Sequence, residues 1–83
     1  MRGGNDNEAL KNFYYLLYHD LSKLARERGF VFWCAGKGSH EVWVRQSDNR
    51  RTVIPNHGST PLKRKTVKSV LDDLEIDLQT FMD

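Results

Sequence analysis

Few side chains in this 83-residue chain can move a proton near neutral pH: three histidines, His19, His40 and His57, and one cysteine, Cys34. His40 has the most suggestive surroundings. It closes the run Gly36-Lys37-Gly38-Ser39-His40 and opens Glu41-Val42-Trp43-Val44. The two glycines allow backbone to approach a ligand closely, and Lys37 and Ser39 add donors on either side. An imidazole with an ordinary pKa of about 6.5 can serve as base or acid there. Strand alternation puts His40 on the side of Val42 and Val44. If those valines face a helical layer, His40 sits partly buried at the rim of the core. The plainer alternative is a polar first residue of a hairpin strand. His57 lies in Ile54-Pro55-Asn56-His57-Gly58, a loop segment, and loops carry sites disproportionately. His19 falls off the apolar stripe of its helix and reads as surface.

Several chemistries are disfavoured by spacing. Three scattered histidines and a single cysteine give neither a paired-cysteine nor an HxxxH metal site. GKGSH is too short for a phosphate loop of the GxxxxGK type, and no βαβ unit surrounds it. Ser39 and His40 are neighbours on a strand and point to opposite faces, so they do not form a nucleophile pair. No cofactor is expected.

The elements that must position His40 follow from hydrophobic period. Leu10, Phe13, Tyr14, Leu17, Leu21 and Leu24 recur at helical spacing. Asn5 or Asn7 is a candidate cap, and Asp20 marks a break near His19 where a second, shorter helix could start. Gly29 is placed to stop the helix after Arg26 and Arg28. Phe30–Cys34, His40–Gln46 and Arg50–Pro55 read as three strands joined by the turns Gly36–Ser39 and Ser47–Asn49, hence an antiparallel meander. Val67, Val70, Leu71 and Leu74 define a second helix. Leu78 and Phe81 suggest a last helical turn capped by Asp77. The order α-β-β-β-α, an α+β fold with both helices on one face of a three-stranded antiparallel sheet, is that of a double-stranded-RNA-binding domain. A single domain over residues 1–83 is expected, with 1–6 frayed and 7–20 an N-terminal helical extension.

Composition sets the class. The net charge of +2 is small, but its distribution is uneven. Arg45, Arg50, Arg51, Lys63, Arg64, Lys65 and Lys68 fill the middle. Asp72, Asp73, Glu75, Asp77 and Asp83 crowd the end. A polarised surface of this kind attracts phosphates. The lone Cys34 suits a reducing compartment. No apolar run reaches the ~20 residues of a membrane span, and the N-terminal MRGGNDNEAL lacks the apolar region of a secretory signal. A cytoplasmic protein without a membrane partner is expected.

Three ordered segments bear a family likeness. Gly38-Ser39-His40 opening a strand, Val53-Ile54-Pro55-Asn56-His57-Gly58, and Leu62-Lys63-Arg64-Lys65-Thr66-Val67-Lys68-Ser69-Val70-Leu71 together resemble the HicA toxin family. That family has a GSH signature, a VPxHG-like segment and a helix like KxGTLRSIL. The likeness covers about Leu21 to Phe81. It implies a double-stranded-RNA-binding-like fold and a metal-independent endoribonuclease (mRNA interferase) that cleaves mRNA and inhibits translation. It also implies a HicB-like antitoxin as partner, with a higher-order toxin–antitoxin assembly open to it, and it puts the catalytic histidine on His40. The sequence departs from the family in three places. Lys65 stands where glycine is common, and the span from Gly29 to His40 is about one residue longer, so a remodelled first hairpin is expected. Residues 7–20 extend the first helix upstream, offering Phe13, Tyr14, Tyr15 and Tyr18 as an antitoxin or self-association surface.

On this likeness, His40 is the expected base or acid, with His57 as a second proton-transfer group. Lys37 and the amides of Gly38 and Ser39 are expected to hold phosphate, and Lys63, Arg64, Lys65 and Lys68 the RNA backbone. Two alternatives stand beside it. One is a non-catalytic RNA-binding module of the same fold. The other is a protein-interaction domain, since alternation puts Val31, Trp33 and Trp43 on one side and Phe32, Cys34, Val42 and Val44 on the other. If the helices cover the second set, two tryptophans face outward, unless a bulge shifts the parity.

Overall fold

The computed structural model describes residues 16–77. Helix α1 spans Tyr18–Glu27, strands β1, β2 and β3 span Val31–Ala35, His40–Arg45 and Arg50–Pro55, and helix α2 spans Arg64–Asp73. The strands form one antiparallel sheet in the order β1-β2-β3. This is the expected α-β-β-β-α order.

Among the described residues, the first helix begins at Tyr18. Leu16 and Leu17 are not helical, and Leu17 is extended at φ −105°. Asp20 is the reason for the start at Tyr18: its carboxylate, three residues on, accepts the Leu17 N–H at 2.9 Å, satisfying one of the donors a helix start leaves open. The shorter helix expected to start near Asp20 thus starts at Tyr18, with Leu17 as its cap residue. The parts of the extension before residue 16, and the final turn from Leu78, lie outside the described residues.

Gly29 ends α1 as its sequence position requires. It is left-handed at φ 88°, its N–H donates to Arg26 O and the Phe30 N–H donates to Ala25 O. These are the two bonds of a glycine-stopped helix end. The same pair closes α2, from Glu75 N–H to Asp72 O and from Ile76 N–H to Leu71 O, yet here the left-handed residue is Glu75 at φ 63°.

The core lies between the helices and one sheet face. Leu21, Ala25, Phe30, Trp43, Ile54, Val67, Val70, Leu71 and Leu74 are buried. Trp43 is 2% exposed, so of the two readings left open, outward tryptophans or a core tryptophan, the second holds for Trp43. The helix-facing residues of β2 are Glu41, Trp43 and Arg45, whereas His40, Val42 and Val44 face the open side. The register explains part of this arrangement. Phe32 pairs with Trp43 and Cys34 with Val42, so Trp33 is one residue too many and β1 bulges there. Trp33 does face outward, 57% exposed, and all five residues of β1 are exposed.

Candidate functional site

The turn before β2 is built by its glycines. Gly38 is left-handed at φ 60°, a conformation a side chain resists. The His40 N–H donates to Lys37 O at 3.1 Å and the Gly36 N–H to His40 O at 2.7 Å. A Cβ on Gly36 would stand 3.6 Å from the His40 Cβ.

His40 is exposed. The expectation of a partly buried histidine at the core rim is corrected: its strand parity matches Val42 and Val44 as expected, but that parity is the uncovered one. Trp43, not the valines, faces the helices.

His40 pairs with Pro55 across the sheet, and the Asn56 N–H donates to Ser39 O at 2.8 Å. The loop from Asn56 to Lys63 is thereby tied to the turn that precedes His40. Within it the Gly58 N–H donates to Asn56 Oδ1 at 3.2 Å and the Thr60 N–H to His57 O at 3.1 Å. His57 is exposed beside this junction. His19 is exposed on α1, as expected from its place off the stripe.

A residue that sequence reasoning passed over holds the junction together. Glu41 Oε1 accepts from the Tyr18 hydroxyl at 2.7 Å and from Trp43 Nε1 at 3.2 Å, and Oε2 accepts from Asn56 Nδ2 at 3.2 Å. One carboxylate joins the start of α1, the centre of β2 and the 56–63 loop, one residue along β2 from His40. Burial and then the Glu41 bond push the Tyr18 hydroxyl above its ordinary pKa. Tyr18 is thus turned toward the core side, a correction to its assignment to an outward aromatic surface; Phe13, Tyr14 and Tyr15 lie outside the described residues. The signal available in the sequence was a carboxylate at the helix-facing parity of a strand, which demands donors from neighbouring elements.

The predicted phosphate binders gather at the same end of the molecule. Helix α2 starts at Arg64, after the 56–63 loop, with Lys63 at its cap position and neither a side-chain cap nor an acidic residue in its first turn. Lys37, Lys63, Arg64, Lys65 and Lys68 are exposed. Lys37, Lys63 and Lys65 have no carboxylate partner among the described residues. Lys68 differs, with its Nζ 3.7 Å from Asp72 Oδ2 one turn along. Among the described residues, no three His, Cys, Asp or Glu side chains are grouped as metal ligands, and no helix is long and apolar enough to cross a membrane.

At the opposite end Arg45 and Arg50 are satisfied within the fold. Arg45 bonds Asp48 at 2.8 and 3.1 Å and Glu75 at 2.9 Å. Arg50 donates to the Asp73 carbonyl, and Thr52 Oγ1 to Asp73 Oδ2 at 2.9 Å. The Arg45 hydrogen bond lowers Asp48 to about 2 and also lowers Glu75, while Arg45 is held above its ordinary range by Asp48 and then Glu75.

A family model, the HicA toxin of bacterial toxin–antitoxin systems, matches residues 18–76. No curated protein and no solved structure matches the chain.

Proposed function

The chain belongs to the HicA toxin family of bacterial toxin–antitoxin systems, and from that premise we propose that it is a metal-independent endoribonuclease that cleaves mRNA with His40 as catalytic residue. A toxin of this family implies an antitoxin partner; we assign that role to a HicB-like protein. The observation that carries the enzymatic reading is the exposed His40 imidazole beside a glycine turn, with Lys37, Lys63 and Lys65 exposed and without a carboxylate partner among the described residues.

RNA brings its own nucleophile. The 2′-hydroxyl oxygen attacks the adjacent phosphorus, the imidazole of His40 removes its proton, and the bond from phosphorus to the 5′-oxygen breaks. The leaving oxygen takes up a proton, for which His57 is the assigned donor. Charge grows on the phosphoryl oxygens along this path. Lys37 and the amides of Gly38 and Ser39 meet it locally, while Lys63, Arg64, Lys65 and Lys68 hold the flanking backbone. Two features support the last role. The first turn of α2 gathers cations where the helix dipole is already positive, an arrangement that a polyanion relieves. Lys68 is shared with Asp72 in an exposed pair, which phosphate can replace at little cost.

The test is cleavage of a labelled single-stranded RNA by purified protein in excess EDTA. Expected products end in 2′,3′-cyclic phosphate and 5′-hydroxyl. Cleavage that requires added Mg²⁺, or that leaves 5′-phosphates, overturns the mechanism. Binding without cleavage favours the non-catalytic RNA-binding module.

A further inference from the structure

The bulge in β1 places an aromatic side chain where the family likeness assigns nothing. Trp33 is the residue that the β2 register leaves unpaired, and it stands 57% exposed on the open sheet face. The Arg51 guanidinium lies over its ring, 5.0 Å from the centroid. Val31, Phe32, Val44, Gln46 and Asn49 complete a groove of about 290 Å³ around this pair. Its lining contains one cation, two amides and no carboxylate, although the chain has 11 acidic residues. Asn49 is itself held left-handed, at φ 60°, at the edge of the groove. Arg51 has no carboxylate partner among the described residues.

We infer that Trp33 and Arg51 form a nucleotide-binding subsite for single-stranded RNA, in which a base stacks on the indole and Arg51 meets the adjoining phosphate. The inference rests on RNA being the ligand of the His40 site. The two lie on one surface. His40 and Val44 are both on the uncovered parity of β2, and Arg51 pairs with Val44 in the register. Four residues of strand separate the ends of this track, roughly 13 Å. That distance spans about four nucleotides, given about 3.4 Å per stacked nucleotide. The subsite is therefore remote from the scissile bond and sets strand binding. An aromatic platform with a neighbouring guanidinium suits any base, because every base has a stacking face. Charge complementarity favours a polyanion over an apolar protein segment here: the sole formal charge of the lining is positive.

The experiment measures binding of a fluorescein-labelled, 2′-O-methyl oligonucleotide of eight residues, which lacks the nucleophile, by anisotropy over a range of salt. The full chain, Trp33→Ala, Trp33→Phe and Arg51→Ala are compared, with circular dichroism confirming that each is folded. Trp33→Ala is expected to weaken binding on the order of 10- to 100-fold without changing the salt slope. Trp33→Phe is expected to retain most of the affinity. Arg51→Ala is expected to reduce the slope by about 0.7, one phosphate contact on a single strand. Equal binding by the full chain and a folded Trp33→Ala overturns the subsite, as does tight binding of a partner protein that alone depends on Trp33. Cleavage of unmodified RNA is scored separately. A protein that binds through Trp33 but does not cut keeps the subsite and refutes the enzymatic reading; one that cuts while ignoring Trp33 does the reverse.

Discussion

The two ends of the sheet treat charge in opposite ways. At the end where β2 finishes and β3 begins, Arg45 and Arg50 are spent on Asp48, Glu75 and the C-terminal carbonyls of α2. At the other end, where β2 begins, Lys37, Lys63 and Lys65 stand without carboxylates among the described residues. Both ends are rich in cations, so composition alone does not separate them. The separation comes from which partner the fold brings within reach. The closed end is a clasp between helix and sheet. The open end is left with unneutralised positive charge, and the glycine turn and His40 sit in it.

The sharpest way to break this contrast is at His40. His40→Ala is expected to reduce RNA cleavage by ~10²–10⁴-fold. The residue is exposed, so the melting temperature should hardly move. A tenfold loss, or a large fall in melting temperature, would mean that the open end is structural like the closed one. Next in size is the combined substitution of Lys37, Lys63 and Lys65 by alanine. The salt slope of RNA binding should fall by about 2, equivalent to about 100-fold in affinity for each tenfold dilution of salt. An unchanged slope would show that the open cations are idle.

Glu41 tests the support beneath the open end. Glu41→Ala strips the acceptor from the Tyr18 hydroxyl, Trp43 Nε1 and Asn56 Nδ2 together. A loss of roughly 1–3 kcal/mol in denaturant unfolding is expected, as for a buried hydrogen-bonded group left unmatched. Cleavage should also fall, because the 56–63 loop loses a tie to the strand. Neutral behaviour in both assays would deny Glu41 a positioning role. The smallest effects belong to the closed end. Arg45→Ala should lower the melting temperature modestly and leave cleavage unchanged. It should also remove the acid dependence that the clasp confers. The carboxyls of Asp48 and Glu75 are depressed in the folded chain, Asp48 to about 2. Their contribution is present above the ordinary carboxylate range and is lost as pH falls toward about 2. Acid titrations of the two proteins should therefore converge at low pH.

Much of the fold follows directly from local chemistry. The bounds of β3 match the run Arg50–Pro55, and Gly29 stops α1 through the two bonds its position demands. The heptad-like set Val67, Val70, Leu71 and Leu74 is buried as the helical period requires. The covered face of β2 was harder. Its helix-facing positions are Glu41, Trp43 and Arg45, so two charged residues flank one aromatic. Its open positions include Val42 and Val44. Hydropathy alone therefore favours the wrong face. The charges are tolerated because Glu41 collects three donors, while Arg45 lies over the Phe30 ring, 5.0 Å from its centroid, and bonds the closed-end carboxylates. Such long-range partners are not visible in a linear pattern. The bulge at Trp33 depends on pairing with β2 and has no signature in the linear pattern. At the candidate site, the sequence picked out His40 and the lysines by type and turn chemistry. The roles of Glu41 and Arg51 depend on neighbours that are distant in the chain.

The bulge at Trp33 also bears on whether the chain can remain a free monomer. Strand β1, Val31-Phe32-Trp33-Cys34-Ala35, is an edge strand with five exposed residues and contains neither lysine nor proline. Such an edge invites pairing with a copy of itself, and flat apolar edges of this sort nucleate aggregation. The extra residue kinks the strand and interrupts the even alternation that a second strand would need. Removing it would give β1 a regular ladder with β2 and, by the same step, a straighter outer edge open to its neighbours. The irregularity therefore also works against edge-to-edge pairing of β1.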